Sequence, residues 1–521
     1  MYLGLDLGTT NVKAVVADRS GRIVADGSCP IARQVLPGGG VEQDIEETWS
    51  ATLAALRQAA EAVPGRGPVE AVGVSSQGGT MQWLDGEDRP AGPVISWMDG
   101  RGRAYDEQLD RELGEAFFTE HAGRGASALT PGQVLRLREE RPGWMSQAEQ
   151  LGFVGDVIVG RLCGRRAHDA TSLSIAMLLN PRLGRADSDL LARLGLSAQQ
   201  LPDLLPATTA AGLLLAEVAA QTALPAGIPV SPAVHDQYAA TIGVGSVRGG
   251  DVCLGTGTAW VLLANVAGLS PPATRETFVC PHPVGEIPVG EIKGTVPFSR
   301  REGPASKMDR ACAAKIGTVP SGLYGQMLSM GNGGSALQWA MALLRQEDLS
   351  GEALDAMLES VPPGAGGLCF WPLLSPRPAG AAGLADGGRL AGLRLDHGAP
   401  EVLRAVVEGL ACELNRHLHM LVHAGVPVGR LLMCGTAAAS RVTPRILADL
   451  TRCPVLCGPE APVSAIGASV IGRAMVECLP LGELALELAE QRMPELHALE
   501  PCADDLYGEL VSRYNEPFGR L

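Results

Sequence analysis

Asp6-Leu7-Gly8-Thr9-Thr10-Asn11-Val12-Lys13 continues a strand-like run that begins at Tyr2, turns tightly through small residues and returns along a second apolar run. A similar opening recurs in the second half of the chain. There Asp251–Leu254 reads as a strand, Gly255-Thr256-Gly257-Thr258 as the turn, and Ala259–Ala264 as the returning strand. Two weakly similar strand-turn-strand openings predict duplicated α/β domains facing one another. Turns of this kind hold phosphate, because successive backbone N–H groups converge where no bulky side chain blocks an oxygen, and the hydroxyls add donors. Either turn alone reads more readily as an ordinary hairpin. Asp6 separates the first from that reading, since a carboxylate at a strand end supplies the hard oxygen that Mg²⁺ prefers.

Between the two turns lies Val234-His235-Asp236-Gln237, a lone carboxylate ending an apolar run. An acid at the carboxyl end of a strand occupies the position where open α/β sheets bind ligands. There it can take a proton from a hydroxyl attacking ATP. The chain has no GxxxxGK[ST] and no GxGxxG with an HRD set, so the P-loop and protein-kinase routes are disfavoured. His235 reads either as a partner of that base or as a packed histidine. Trp97-Met98-Asp99-Gly100-Arg101 reads either as substrate contact or as a helix cap with a salt bridge. His417, His419 and His423 share a helical segment, but no carboxylate completes a metal site there, so a packed or solvated helix face is expected.

The chain is 521 residues long, more than one hydrophobic core usually sustains, which predicts two domains. With 46% hydrophobic and 19% charged residues it is globular, not disordered. A net charge of −15 leaves no basic field for nucleic acid or an anionic membrane. Twelve cysteines show no paired or zinc-type framework and read as reduced thiols. No apolar window approaches the length of a membrane span, and a cytoplasmic protein is expected.

Several elements are legible. Asp44, with Glu47 three residues on, predicts a capping box before an amphipathic helix through Trp49, Leu53, Leu56 and Ala60. Val69–Ser75, Met81–Leu84 and Pro93–Trp97 read as strands. Residues from about Pro142 to Thr222 read as short helices around a sheet. The domain boundary is placed near Gly249-Gly250, dividing residues 1–247 from 248–521. Glu401–Ala424 reads as a long helix closed by Gly425, followed by a buried strand at Arg430–Cys434 and a small-residue loop at Gly435–Ser440. Thr443–Leu450 and Ala465–Val470 read as helices.

DLGTTNVK at Asp6–Lys13, VEQDIEETW at Val41–Trp49, ISWMDGR at Ile95–Arg101, HDQ at His235–Gln237 and LGTGT at Leu254–Thr258 resemble the FGGY family of carbohydrate kinases. Gly388–Glu408 is similar to that family's second signature. The resemblance spans nearly the whole chain. It implies two ribonuclease-H-like domains of the actin and hexokinase type flanking a catalytic cleft, with ATP and Mg²⁺ bound there. It implies Asp236 as general base and Asp6 as the Mg²⁺ residue. Gly8, Thr9, Thr10, Lys13, Gly255, Thr256, Gly257 and Thr258 would hold phosphates; Gly435, Thr436 and Ser440 would line the adenosine site. Gln77, Gly78, Gly79, Trp97, Asp236 and Gln237 would face the sugar. The N-terminal domain would carry sugar and base, the C-terminal domain the nucleotide, and a homodimer is compatible with the resemblance.

Within the family the chain looks most similar to xylulokinases, with departures. Gly78-Gly79 follow Gln77 where Met-His is usual, so two sugar contacts are missing. The nucleotide loop, usually GGGAKS, is Gly435-Thr436-Ala437-Ala438-Ala439-Ser440, and Gln133 and Arg136 stand where Lys and Trp are common. The expected activity is ATP-dependent phosphorylation of a ketose, D-xylulose first, with ribulose, glycerol or erythritol as runners-up. A sugar or nucleotide sensor is the competing class, and a retained base argues against it.

Overall fold

The computed structural model describes residues 1–63, 67–146, 148–285, 322–374, 387–458, 461–492 and 497–518. Two compact units emerge: Met1–Val247 with Val266–Gly325 and Pro462–Gln491, and Arg248–Asn265 with Gln326–Ala461 and Arg492–Leu521.

In the first unit, Tyr2–Leu7 pairs antiparallel with Asn11–Ala17, which pairs in turn with Ile23–Pro30. On its other edge Tyr2–Leu7 runs parallel to Ala71–Ser76, and that strand runs parallel to Pro229–His235. Every residue of the last two strands is buried, which is why they read as continuous apolar runs without alternation. Ile45–Glu61 packs on the Asn11–Ala17 and Ile23–Pro30 strands, and the Asp44 side chain caps it by accepting from Glu46 N at 2.8 Å. The expected reciprocal half of the capping box does not form. Glu47 Oε1 instead accepts from Ala32 N at 2.9 Å, pinning the chain that leaves the third strand.

The helix Val463–Glu477 belongs to this unit and lies against Tyr2–Leu7, Ala71–Ser76 and Asp236–Val244. Glycines make that approach feasible. A Cβ on Gly4 would lie 1.8 Å from Ala465 O, one on Gly73 1.8 Å from Ala468 O, and one on Gly467 1.8 Å from Ala239 O. The small residues of this helix therefore admit neighbouring backbone, so the strand ends and the Asp236–Val244 helix are fixed to one support.

In the second unit Asp251–Thr256 pairs antiparallel with Trp260–Ala267 and parallel with Arg430–Cys434, which runs parallel to Val455–Cys457. The long helix runs Ala399–His423, with Gly425 at φ +80° just past its end. His417 is buried and its Nδ1 lies 2.8 Å from Glu413 O, whereas His419 and His423 face solvent. Among the described residues, ten cysteines are free thiols. No helix among them is long and apolar enough to cross a membrane.

Candidate active site

Three parallel strands of the first unit end together. Asp6 is level with Ser75 and Ser75 with Val234; one residue on, Leu7 is level with Ser76 and Ser76 with His235. Asp236 then opens the helix Asp236–Val244 directly from the last strand. Register alone therefore brings Asp6 and Asp236, distant in sequence, to the same carboxyl edge of the sheet.

Their environment shifts both carboxyls upward. Burial and the neighbouring Asp236 charge push the Asp6 carboxyl up to about 7, although Ser75 Oγ donates to Asp6 Oδ1 at 2.6 Å and Lys13 opposes the rise. Burial likewise pushes Asp236 up to about 6, against hydrogen bonds from Gln237. Two carboxylates, one near enough for its charge to raise the proton affinity of the other, offer oxygen donors of the kind that fit a hard divalent cation. Lys13 pairs in register with Asp6 across the hairpin and is exposed.

Beside the carboxylates runs one hydrogen-bond chain. Trp97 Nε1 donates to Thr9 Oγ1 at 3.0 Å, and Thr9 Oγ1 and Thr80 Oγ1 each donate to Gln77 Oε1 at 3.1 Å. Gln77 Nε2 donates to Gln43 Oε1 at 3.1 Å, and Gln43 Nε2 donates to Thr9 O at 3.0 Å. The Gly8–Thr10 turn is closed by Gly8 N donating to Asn11 O at 3.1 Å. Gln43 and Thr80 were not singled out from sequence. Gln43 sits in the VEQD segment, and nothing in the spacing pointed to Thr80. Gly79 holds φ +67°, a left-handed conformation that favours glycine.

The Asp99–Arg101 pair resolves as a cap with a salt bridge. Asp99 Oδ1 accepts from Arg101 N at 2.9 Å, and Arg101 Nη2 reaches Glu42 Oε1 at 2.6 Å. Gln133 and Arg136 extend this buried polar chain: Gln133 Nε2 donates to Asp99 O at 2.9 Å, and Arg136 Nε to Gln133 Oε1 at 2.8 Å. Trp97 alone of that segment turns toward the Gly/Thr turn.

The second unit has a loop cluster of its own. Gly435, at φ +91°, approaches Thr256 so closely that a Cβ would lie 3.0 Å from the Thr256 carbonyl. Thr256 Oγ1 donates to Cys434 O at 2.6 Å, so the hydroxyl is engaged by the neighbouring strand end. Gly257 O and Thr258 O accept from Gly334 N at 3.0 Å and Ser335 N at 3.1 Å, seating the turn on the start of the helix Gly334–Leu343. Sequence reading missed that segment, whose signal was the small-residue run Gly331–Ser335 before an apolar stretch. Ser440 Oγ donates to Asp355 Oδ1 at 2.5 Å and accepts from Val442 N and Thr443 N, so it shapes the start of the Thr443–Thr451 helix. Thr436 lies in the short turn Thr436–Ala439.

Paired carboxylates at a sheet edge and Gly/Thr turns in each unit define the class of a two-unit α/β phosphotransferase. Residues 1–243 match the N-terminal domain of the FGGY family of carbohydrate kinases, and residues 294–476 match its C-terminal domain. The chain belongs to that family, whose members are ATP-using sugar and polyol kinases of actin- and hexokinase-like fold. It is 26% identical over 91% of its length to a glycerol kinase of Alkalilimnicola ehrlichii, of which it covers 90%. It is also 26% identical over 91% of its length to an L-fuculokinase of Salmonella typhi, of which it covers 92%. The crystal structure of a xyloylose kinase from Brucella ovis superposes with a TM-score of 0.82 at 24% identity, covering 99% of this chain and 98% of that one, and shares the fold.

Proposed function

We propose that this kinase transfers the γ-phosphate of ATP to a hydroxyl of a small ketose, D-xylulose first, within cytoplasmic carbohydrate metabolism. Asp236 acts as general base. The observation that carries this reading is the Asp236 carboxylate at the shared carboxyl edge, raised to about 6, where a proton acceptor working near neutral pH belongs. Its carboxylate takes the proton of the attacking hydroxyl as the new O–P bond forms. Residues 1–247 carry acceptor and base, with Gln77, Gly78, Gly79, Trp97 and Gln237 around the acceptor. Residues 248–521 carry the nucleotide, with Gly255–Thr258, Gly435, Thr436 and Ser440; Gly8–Thr10 and Lys13 meet its phosphates. Asp6 holds Mg²⁺, which when bound neutralises phosphate charge.

A polyol acceptor is the second reading, because a sequence relative is a glycerol kinase. An ADP-release assay with Mg-ATP separates the two, using D-xylulose, D-ribulose, L-fuculose, glycerol and erythritol, with Asp236→Ala as control. Asp236-dependent turnover of D-xylulose supports the first reading. Turnover confined to glycerol or erythritol moves the assignment to the second, and silence across the panel with ATP still bound moves it to a sensor.

A further inference from the structure

The His235 ring fills the space in front of Gly78. A Cβ built on Gly78 would lie 2.2 Å from His235 Cδ2 and 2.5 Å from Nε2, with Ile175 Cγ2 at 2.8 Å behind them. No side chain larger than hydrogen fits at 78 while the ring is there. The imidazole is held from several sides: His235 is 4% exposed, its backbone N donates to Thr171 Oγ1 at 3.0 Å, and Tyr238 meets the ring edge-on at 6.0 Å between centroids. Its Nε2 lies 3.5 Å from Asp236 Oδ1, while its Nδ1 is buried with no hydrogen-bond partner among the described residues. A buried N–H without an acceptor costs more than a bare ring lone pair, so the single proton of a neutral imidazole belongs on Nε2. Burial holds His235 neutral by driving its pKa down to about 3.

We propose that Gly78 and His235 act as one device: glycine at 78 admits the imidazole, and its Nε2–H engages Asp236 Oδ1 so that the other carboxylate oxygen faces the acceptor hydroxyl. His235 is thus a positioning residue, and Gly78 is retained for the room it leaves. The inference rests on Asp236 being the base.

The test uses the full chain with Mg-ATP and whichever acceptor of the panel above gives Asp236-dependent turnover. His235→Ala is expected to lower kcat about tenfold or more with the ATP KM unchanged, and His235→Gln, which restores a donor, to recover part of it. Gly78→Ala displaces the ring and gives a similar loss. His235→Ala with Gly78→Ala is expected to be no worse than either single change, because the second substitution has nothing left to disturb. Thermal unfolding of each variant identifies any that fail to fold; if His235→Ala does, His235→Gln and Gly78→Ala carry the comparison. Multiplicative losses in the double variant, or an unaltered kcat in His235→Ala, overturn the inference. If no acceptor of the panel gives Asp236-dependent turnover, the base assignment falls and this inference with it, whereas an Asp236-dependent acceptor whose kcat is indifferent to His235 overturns the inference alone.

Discussion

The two hairpins that open the two halves share a scaffold and differ in charge. In each, a strand turns back antiparallel through Gly and Thr and runs parallel to a strand far along the chain: Tyr2–Leu7 beside Ala71–Ser76, Asp251–Thr256 beside Arg430–Cys434. One residue before its end the first strand carries Asp6, level with Ser75; the second carries Gly255, level with Cys434. A carboxylate on one scaffold gives that edge a group whose hold on a proton the neighbouring Asp236 strengthens. Glycine on the other lets backbone approach backbone, as the Gly435 and Thr256 contact does. The same strand-turn-strand unit thus becomes a charged edge in one half and a neutral clamp in the other.

The largest test of this contrast removes the charged side. Asp236→Ala is expected to lower kcat by roughly 10²–10⁴ while leaving ATP affinity nearly unchanged, since only the proton acceptor is lost. Steady-state kinetics that show near-normal turnover would falsify a chemical role for the charged edge.

Next in size is the stability cost of that edge. The folded pKa of Asp236, about 6, lies above the unfolded value near 3.9, so the folded state holds this proton more tightly. The resulting stability is present below about pH 4 and is lost as pH rises through about 6. Asp6, raised to about 7 partly by the Asp236 charge, loses stability in the same direction. Asp236→Asn should therefore raise the thermal midpoint at pH 8 by the equivalent of about 1–3 kcal/mol and leave it unchanged at pH 4. A midpoint that falls equally at both pH values would mean that the carboxylate serves the fold, not the chemistry.

On the neutral side, Gly257→Val should raise the ATP KM about tenfold without destabilising the protein. A Cβ at 257 meets only Ala259 O at 3.8 Å, so no internal clash competes with crowding of the phosphate. If melting is unchanged and the ATP KM is too, the phosphates do not pass over this turn.

Much of this arrangement was legible in the sequence, because local signals and tertiary demands agree there. The strands at Tyr2–Leu7, Asn11–Ala17 and Arg430–Cys434 and the Asp44 cap follow from periodicity and local hydrogen bonding. Asp236 stands out because an acid ends an apolar run. The remainder depended on contacts distant in sequence. That Glu47 turns to Ala32, that Val463–Glu477 lies on the first unit's sheet, and that Gln43 joins Thr9 to Gln77 all need register between segments that no local pattern specifies. The Gly78-Gly79 pair read as two missing contacts, yet the His235 ring in front of Gly78 and the left-handed Gly79 backbone give each glycine a physical reason.

The smallest expected effect separates hydroxyl from backbone in the second hairpin. Thr256 is 2% exposed and its hydroxyl donates to Cys434 O, tying the end of Asp251–Thr256 to the strand whose end carries Gly435. Thr256→Val keeps the side-chain shape and removes that donor, leaving a buried carbonyl short of one partner at a cost of about 1–2 kcal/mol in unfolding free energy. The ATP KM should stay within a factor of about two, because the hydroxyl that the substitution removes is engaged by Cys434 O and not aimed at phosphate. A large rise in ATP KM with little loss of stability would mean that the hydroxyl leaves Cys434 for the phosphate on binding. The second hairpin would then act through a side-chain donor, and the contrast between the two would narrow to Asp6.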